Sequence, residues 1–290
     1  MSPPVPRLDP SQLLTRYEVV LLDAYGVLVD THGALPGAAE FLAQLTEAGC
    51  RWMVLSNDAS RRPQSSVERF AQLGLSIPES RVLTSGDLIA PHFETEGLTG
   101  RRCVVLGPRD SQAMVTKAGG VVVASDDPTL EVLVVCDDDG FPFRPTIEGL
   151  IGTLYARFAA GEPVHLVLPN PDLVYPRAPG RFGLTAGSIA GLLEGALRLR
   201  FPDAPPRFHA LGKPHPPIFE RALARLGVDA SARVVMLGDQ LATDIAGARA
   251  VGIDSVLVGT GVCDPQRMPK TGPRPTFWMP GVGLPSSATP

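Results

Sequence analysis

The chain has 290 residues, of which 44% are hydrophobic and 19% charged, with a formal net charge of −4. Its length suggests about two domains, and its composition excludes a disordered polymer, which combines low hydrophobicity with high net charge. The mild acidity leaves no basic excess for holding nucleic acid or anionic lipid.

Residues 1–16 are Pro-rich and polar and read as a loose lead-in. Residues 17–30 then hold a continuous apolar run that reaches Asp23, the pattern of a strand covered on both faces of a parallel sheet. Residues 36–49 have helical spacing between Pro36 and Gly49, residues 51–58 form a second strand with a polar end, and residues 63–74 a second helix. This strand–helix rhythm predicts an α/β fold with a doubly wound parallel sheet.

A second series begins near residue 103, with strands predicted at 103–108, 121–125, 131–138 and 164–170 and a helix at 145–161. Residues 186–199 read as a helix despite their glycines, and FPDAPPR (201–207) as a break. The opening rhythm then returns: a short strand at FHALG, a helix at PPIFERALARLG, a strand at RVVMLGD, a helix at DIAGARAVG and a strand at DSVLVGTG. PTFWMPG (275–281) suits a last edge strand.

No stretch reaches the ~18 uninterrupted apolar residues of a membrane span, and the first ten residues lack an apolar signal core. Cys50, Cys103, Cys136 and Cys263 fall in no C-x-x-C pair, so reduced, buried thiols are expected. A cytoplasmic protein follows as the expectation.

Polar residues of one kind end the predicted strands: Asp23, Ser56 with Asn57, Lys213, and Asp239 with Asp244 five residues on. Functional groups of open α/β sheets gather at the carboxyl ends of strands. Three converging carboxylates would repel one another unless a cation joined them. Oxygen ligands of this kind suit Mg²⁺, which takes one or two carboxylates, waters and phosphate oxygens. Lysine pairs with phosphate as a point charge, and Lys213 is one of only three lysines in the chain.

D-A-Y-G-V-L, S-N-D, G-K-P and G-D-x-x-x-x-D, in that order, resemble the four motifs of the haloacid dehalogenase (HAD) superfamily, over nearly the whole chain. The resemblance implies that Asp23 attacks phosphorus and becomes an aspartyl-phosphate, a case of carboxylate nucleophilic catalysis. It implies that Ser56 and Lys213 hold the phosphoryl oxygens. It assigns Mg²⁺ to Asp239, Asp244, Asp23 and the backbone carbonyl of Tyr25, and makes Asn57 a further candidate on the phosphate side.

Asp23 to Ser56 spans 33 positions, room for one βα unit, whereas Ser56 to Lys213 spans 157, far beyond a plain crossover. An inserted α/β cap is therefore expected between the second and third motifs, as in the class IIA branch of nucleotide-, glycolate- and pyridoxal-phosphatase-like proteins. The expected core is 17–85 with 200–284, the cap 86–199, and the tails 1–16 and 285–290. LPNPDLVYP (168–176) resembles that branch's N-x-D-x-x-x-P segment, which makes Asn170 and Asp172 candidates on the substrate side. The resemblance implies a phosphatase of a small phosphorylated metabolite, of the sugar phosphate, nucleotide or pyridoxal phosphate class. It also implies association of two copies through the caps.

One position departs from the pattern. The phosphatases of this superfamily carry a second Asp two residues after the nucleophile, as general acid and base, and here Tyr25 stands there. A phenol with a pKa near 10 is a poor substitute. A weakened phosphatase is one expectation, a phosphatase restricted to good leaving groups another, with Asp30 and His32 as conceivable replacements. The alternatives are a 2-haloacid dehalogenase, whose first motif also carries this tyrosine, and a phospho-ligand-binding protein with little turnover. Asp137–Asp139 read as a solvated turn before Gly140, and His92, His165, His209 and His215 show no metal-ligand spacing.

Overall fold

The computed structural model describes residues 5–178, 181–229 and 231–283; the expected tail at 285–290 lies outside them. The chain divides into two units. The first is Met1–Ser56, Pro63–Leu83 and Lys213–Pro290, and the second is Asn57–Arg62 and Thr84–Gly212.

The first unit opens with helix α1 (Pro10–Arg16), then strand β1 (Val19–Asp23), helix α2 (Ala38–Glu47), β2 (Arg51–Ser56), α3 (Pro63–Gln72) and β3 (Val82–Thr84). The second unit holds α4 (Ile89–Thr95), β4 (Arg102–Leu106), α5 (Arg109–Lys117), β5 (Val121–Val122), β6 (Val132–Val135), α6 (Phe143–Ala159), β7 (His165–Leu168), β8 (Val174–Ala178), β9 (Arg181–Leu184), α7 (Ala186–Arg200) and β10 (His209–Ala210). The first unit resumes with α8 (Pro216–Arg225), β11 (Val234–Gly238), α9 (Ala246–Ala250), β12 (Asp254–Val258) and β13 (Phe277–Met279).

Every residue of β1 is buried, as an apolar run covered on both faces requires. It pairs in parallel with β11 on one side (Val19 with Val234) and β2 on the other (Val19 with Arg51). The sheet order is β13-β12-β11-β1-β2-β3. The winding therefore reverses between β1 and β11, which opens the crevice where such sheets bind ligands. Helix α2 turns Phe41, Leu42 and Leu45 into the core beside Val20, Leu22 and Val54.

From Pro6 to Arg16 the lead-in is ordered, contrary to the sequence expectation. Asp9 and Gln12 form a capping box that starts α1. Leu8 and Leu13 are fully buried, and the Leu8 N–H donates to the Trp278 carbonyl at 2.9 Å. Two leucines five residues apart do not stand out as a helical face in a Pro-rich stretch. A second difference concerns 244–252, expected as one helix. A π-helical turn over Leu241–Ile245 precedes the short α9, and such widened turns are frequent at functional sites.

The second unit has its own parallel sheet, ordered β10-β7-β6-β4-β5. Ile147, Leu150 and Leu154 of α6 and Ile189, Leu193 and Leu197 of α7 bury against Val104, Leu133, Val135 and Leu166. The antiparallel hairpin β8–β9 was not anticipated. Its apolar residues Val174, Phe182 and Leu184 are exposed, so they carry no core periodicity from which to read a strand. No helix among the described residues is long and apolar enough to cross a membrane.

Candidate active site

Asp23 is the last residue of β1 and Ser56 the last of β2, while Asp239 directly follows β11 and Asp244 lies in the π turn. The parallel register brings these strand ends to one edge of the sheet, and Lys213 joins them from the start of the returning segment. Lys213 is 2% exposed, and its ammonium donates to Asp23 Oδ1 at 2.6 Å and to the Leu55 carbonyl at 3.2 Å. It also lies 2.8 Å from Asp244 Oδ1. Asp244 Oδ2 accepts from the Gln240 N–H at 3.1 Å, which ties the π turn to its own carboxylate. Asp239 Oδ2 accepts from the Val262 N–H at 2.7 Å, whereas Asp239 Oδ1 is buried without a hydrogen-bond partner.

Fully ionised, these three carboxylates and one ammonium would carry two surplus negative charges inside the protein. The titration of the groups responds accordingly. Burial, with Asp244 adding to it, pushes the Asp23 carboxyl up to about 7 against the pull of Lys213. Burial and the neighbouring Asp23 and Asp244 carry Asp239 well above the usual carboxylate range. Burial works against the Lys213 charge, but Asp23 and Asp244 outweigh it and raise its pKa. One oxygen from each of Asp23, Asp239 and Asp244 lies within 4.8 Å of the others. Hard oxygen donors, a deficit of two positive charges and an orphaned buried carboxylate oxygen all fit a divalent cation such as Mg²⁺.

Tyr25 follows in the loop after β1, where its backbone bridges to Val29 and the residue as a whole is 39% exposed. Asp30 spends its carboxylate on its own turn, accepting from the His32 N–H at 2.7 Å and the Gly33 N–H at 3.0 Å. The His32 side chain is 78% exposed.

Asn57, Asn170 and Asp172 belong to the second unit and meet there. Asn57 Nδ2 donates to Asp172 Oδ1 at 2.9 Å, and the Asp172 N–H donates to Asn170 Oδ1 at 3.0 Å. The Asp137–Asp139 segment is a turn, with the Asp139 N–H on Asp137 Oδ1. Asp137 is not the solvated group expected, since burial pushes its carboxyl up to about 6. The sequence left the histidines unassigned, but three of them cluster in this unit. The His92 ring stacks on His209 at 4.7 Å between centroids and lies 5.4 Å from His165. Their ring nitrogens do not converge as metal ligands; among the described residues only the aspartate trio does.

Sequence reasoning missed the segment after β12. Thr260 Oγ1 donates to the Gly26 carbonyl at 2.6 Å, and Val262 supplies the N–H on Asp239. The polar-residue-at-strand-end rule that found the aspartates also covers G-T-G-V-C (259–263), where threonine follows the strand.

A haloacid dehalogenase-like hydrolase family model matches residues 20–120, and a second, HAD-hydrolase-like model matches residues 210–283. The chain is 30% identical over 259 residues to a dihydroxyacetone phosphatase of Corynebacterium glutamicum, covering 88% of this chain and 86% of that one. Among solved structures, a possible sugar phosphatase of the HAD superfamily from Cytophaga hutchinsonii superposes with a TM-score of 0.83 at 26% identity. That likeness covers 96% of this chain and 98% of the other. NagD from E. coli superposes with a TM-score of 0.74 at 25% identity, over 92% and 97% of the two chains.

Proposed function

The chain belongs to the class IIA branch of the haloacid dehalogenase-like hydrolases, and from that premise we propose that it is a phosphatase of small sugar-type phosphates, with Asp23 as its nucleophile. The observation that carries the reading is the buried Asp23–Lys213 contact at 2.6 Å beside two further aspartates. A carboxylate so placed is desolvated, oriented and within reach of both cationic partners that a phosphate monoester needs. An oxygen of Asp23 attacks phosphorus while the bond to the leaving oxygen breaks, giving an aspartyl-phosphate and an alkoxide that takes a proton from water to become the alcohol. Water then cleaves the acyl phosphate, releasing inorganic phosphate and restoring Asp23.

Lys213 offsets charge on the phosphoryl oxygens, and the Ser56 hydroxyl, with Asn57 next to it in the chain, donates to them. Asp23, Asp239, Asp244 and the Tyr25 carbonyl would hold Mg²⁺, which when bound supplies charge neutralisation between nucleophile and phosphate. Asn170 and Asp172 are the candidates for contacts to the rest of the substrate.

Tyr25 bears on the substrate class. General acid help to a leaving group is worth ~10²–10⁴-fold. A chain without the second aspartate favours substrates whose leaving oxygen tolerates negative charge, such as a hydroxyl next to a carbonyl. The dihydroxyacetone phosphatase among its relatives fits that chemistry.

The test is phosphate release from dihydroxyacetone phosphate, an aldose phosphate, pyridoxal phosphate and a nucleoside monophosphate, each with Mg²⁺ and with EDTA. Release is expected to be fastest with the keto-sugar substrate and to need the metal. Asp23→Asn is expected to lower it by at least ~10³-fold. Equal release by wild type and Asp23→Asn would sink the nucleophile assignment. Tyr25 also favours a second reading, a phospho-ligand binder with little turnover, which would show tight metal-dependent binding without release.

A further inference from the structure

Thr260 lies outside the four motifs, yet it links the two loops that flank the carboxylate trio. Its hydroxyl donates to the Gly26 carbonyl at 2.6 Å, joining the loop after β12 to the loop after β1. Gly26 sits at φ +82°, and its N–H donates to the Val29 carbonyl at 2.8 Å. Both peptides that meet at Gly26 are therefore pinned. In a trans peptide the carbonyl points opposite to the N–H, so the Tyr25 carbonyl is turned to the side away from Val29.

The same two loops close on Asp239. A Cβ placed on Gly26 would come within 2.4 Å of Asp239 Oδ2, and one on Gly261 within 2.0 Å. Only glycine fits at either position, because the carboxylate lies in van der Waals contact with both backbones. The Val262 N–H donates to Asp239 Oδ2, and the Cys263 N–H donates to the Asp239 backbone carbonyl at 3.1 Å. Oδ1 is thereby left as the oxygen without a partner.

We infer that Thr260 is a positioning residue for the divalent-cation site: its hydroxyl holds the Tyr25–Gly26 turn against Asp239, so that the Tyr25 carbonyl and Asp239 Oδ1 are presented together. The inference rests on the metal reading above and adds to it a residue that touches neither substrate nor metal. Partners that orient metal ligands typically cost 10–100-fold in metal affinity when removed. An exposed hydroxyl acting on a carbonyl belongs at the lower end.

The experiment is titration calorimetry of the whole chain with Mg²⁺, together with the Mg²⁺-induced shift in melting temperature, for wild type, Thr260→Val and Thr260→Ser. Valine keeps the shape and removes the donor, while serine keeps the donor. Thr260→Val is expected to weaken Mg²⁺ binding about tenfold and to leave the metal-free melting temperature unchanged. Phosphate release by this variant is then low at limiting Mg²⁺ and returns at high Mg²⁺. Thr260→Ser is expected to bind within about twofold of wild type, consistent with retention of the hydrogen bond. Equal Mg²⁺ binding by wild type and Thr260→Val overturns the positioning role alone, as does a Thr260→Ser loss as large as that of Thr260→Val. A wild-type chain that binds no Mg²⁺ overturns the metal reading and this role with it.

Discussion

Each unit of the molecule gathers a cluster of ionisable side chains, fully buried in the first and buried only at His92 in the second, and the two are built on opposite principles. Asp23, Asp239, Asp244 and Lys213 gather at strand ends of the first unit, all under 10% exposed. His92, His165 and His209 gather in the second unit, from α4, β7 and β10. An aspartate or lysine keeps its charge near neutral pH unless strongly perturbed, so burying several together calls for counter-charge. A histidine can give up its proton and be buried neutral. His92 does so: burial first, then His209 and His165, lower its pKa to about 4 against the pull of Glu96. Its Nε2 and that of His165 are buried without partners, which a neutral ring tolerates far better than an imidazolium. The first cluster therefore calls for added positive charge, and the second, neutral at His92, does not. That difference supports the first as the candidate site.

The largest effect expected from this contrast is at Lys213. Lys213→Met leaves the buried carboxylates of Asp23 and Asp244 without the ammonium that pairs with both. Breaking a buried ion pair in this way typically destabilises by ~3–5 kcal/mol. Urea unfolding of the metal-free chain measures it, and a loss below ~1 kcal/mol would break the claim that charge holds this cluster together.

Next comes Asp239→Asn, which separates stability from function. It removes a carboxylate whose burial raises its pKa and leaves an oxygen unpartnered. The metal-free chain is expected to gain ~0.5–2 kcal/mol, while calorimetry shows Mg²⁺ binding lost. A destabilised variant would instead mean that the surplus charge is already balanced within the protein.

The smallest expected effect belongs to the histidines and concerns pH. Between pH 6.5 and about 4 the unfolded chain protonates at position 92 while the folded chain does not. Stability therefore falls as pH drops through that window and levels off below it, by ~1–3 kcal/mol in all. Replacing the ring with an apolar one, His92→Phe, is expected to flatten the dependence, read by hydrogen exchange in the second unit. An unchanged slope would show that His92 is not the group that titrates.

The two clusters also differ in how far a reader of the sequence could find them. Asp23, Ser56, Lys213 and Asp239 each follow or end an apolar run, with Asp244 five residues after the last, and strand ends are where a parallel sheet exposes side chains to a crevice. Their gathering was legible because local pattern and topology coincide there. His92, His165 and His209 lie 73 and 44 positions apart, on a helix and two strands, with no shared motif. The stack exists only because β10 pairs with β7 and places His209 opposite Val167, near His165. The α/β rhythm, the helices at 145–161 and 186–199 and the final edge strand were readable from apolar spacing. Helix α1 and the hairpin β8–β9 were not, since neither repeats a core-facing residue at a period long enough to detect.

By itself the sequence determined the α/β class and the strand-end polar residues, and it led to the expectation of an inserted unit, because these follow from hydrophobic period and motif spacing. Only the tertiary structure decided which oxygen of Asp239 lacks a partner, that the Thr260 hydroxyl meets the Gly26 carbonyl, and that the rings of three scattered histidines come together. Each of these depends on the register between strands distant in the chain. Register is set by the packing of the whole sheet, which no local pattern encodes.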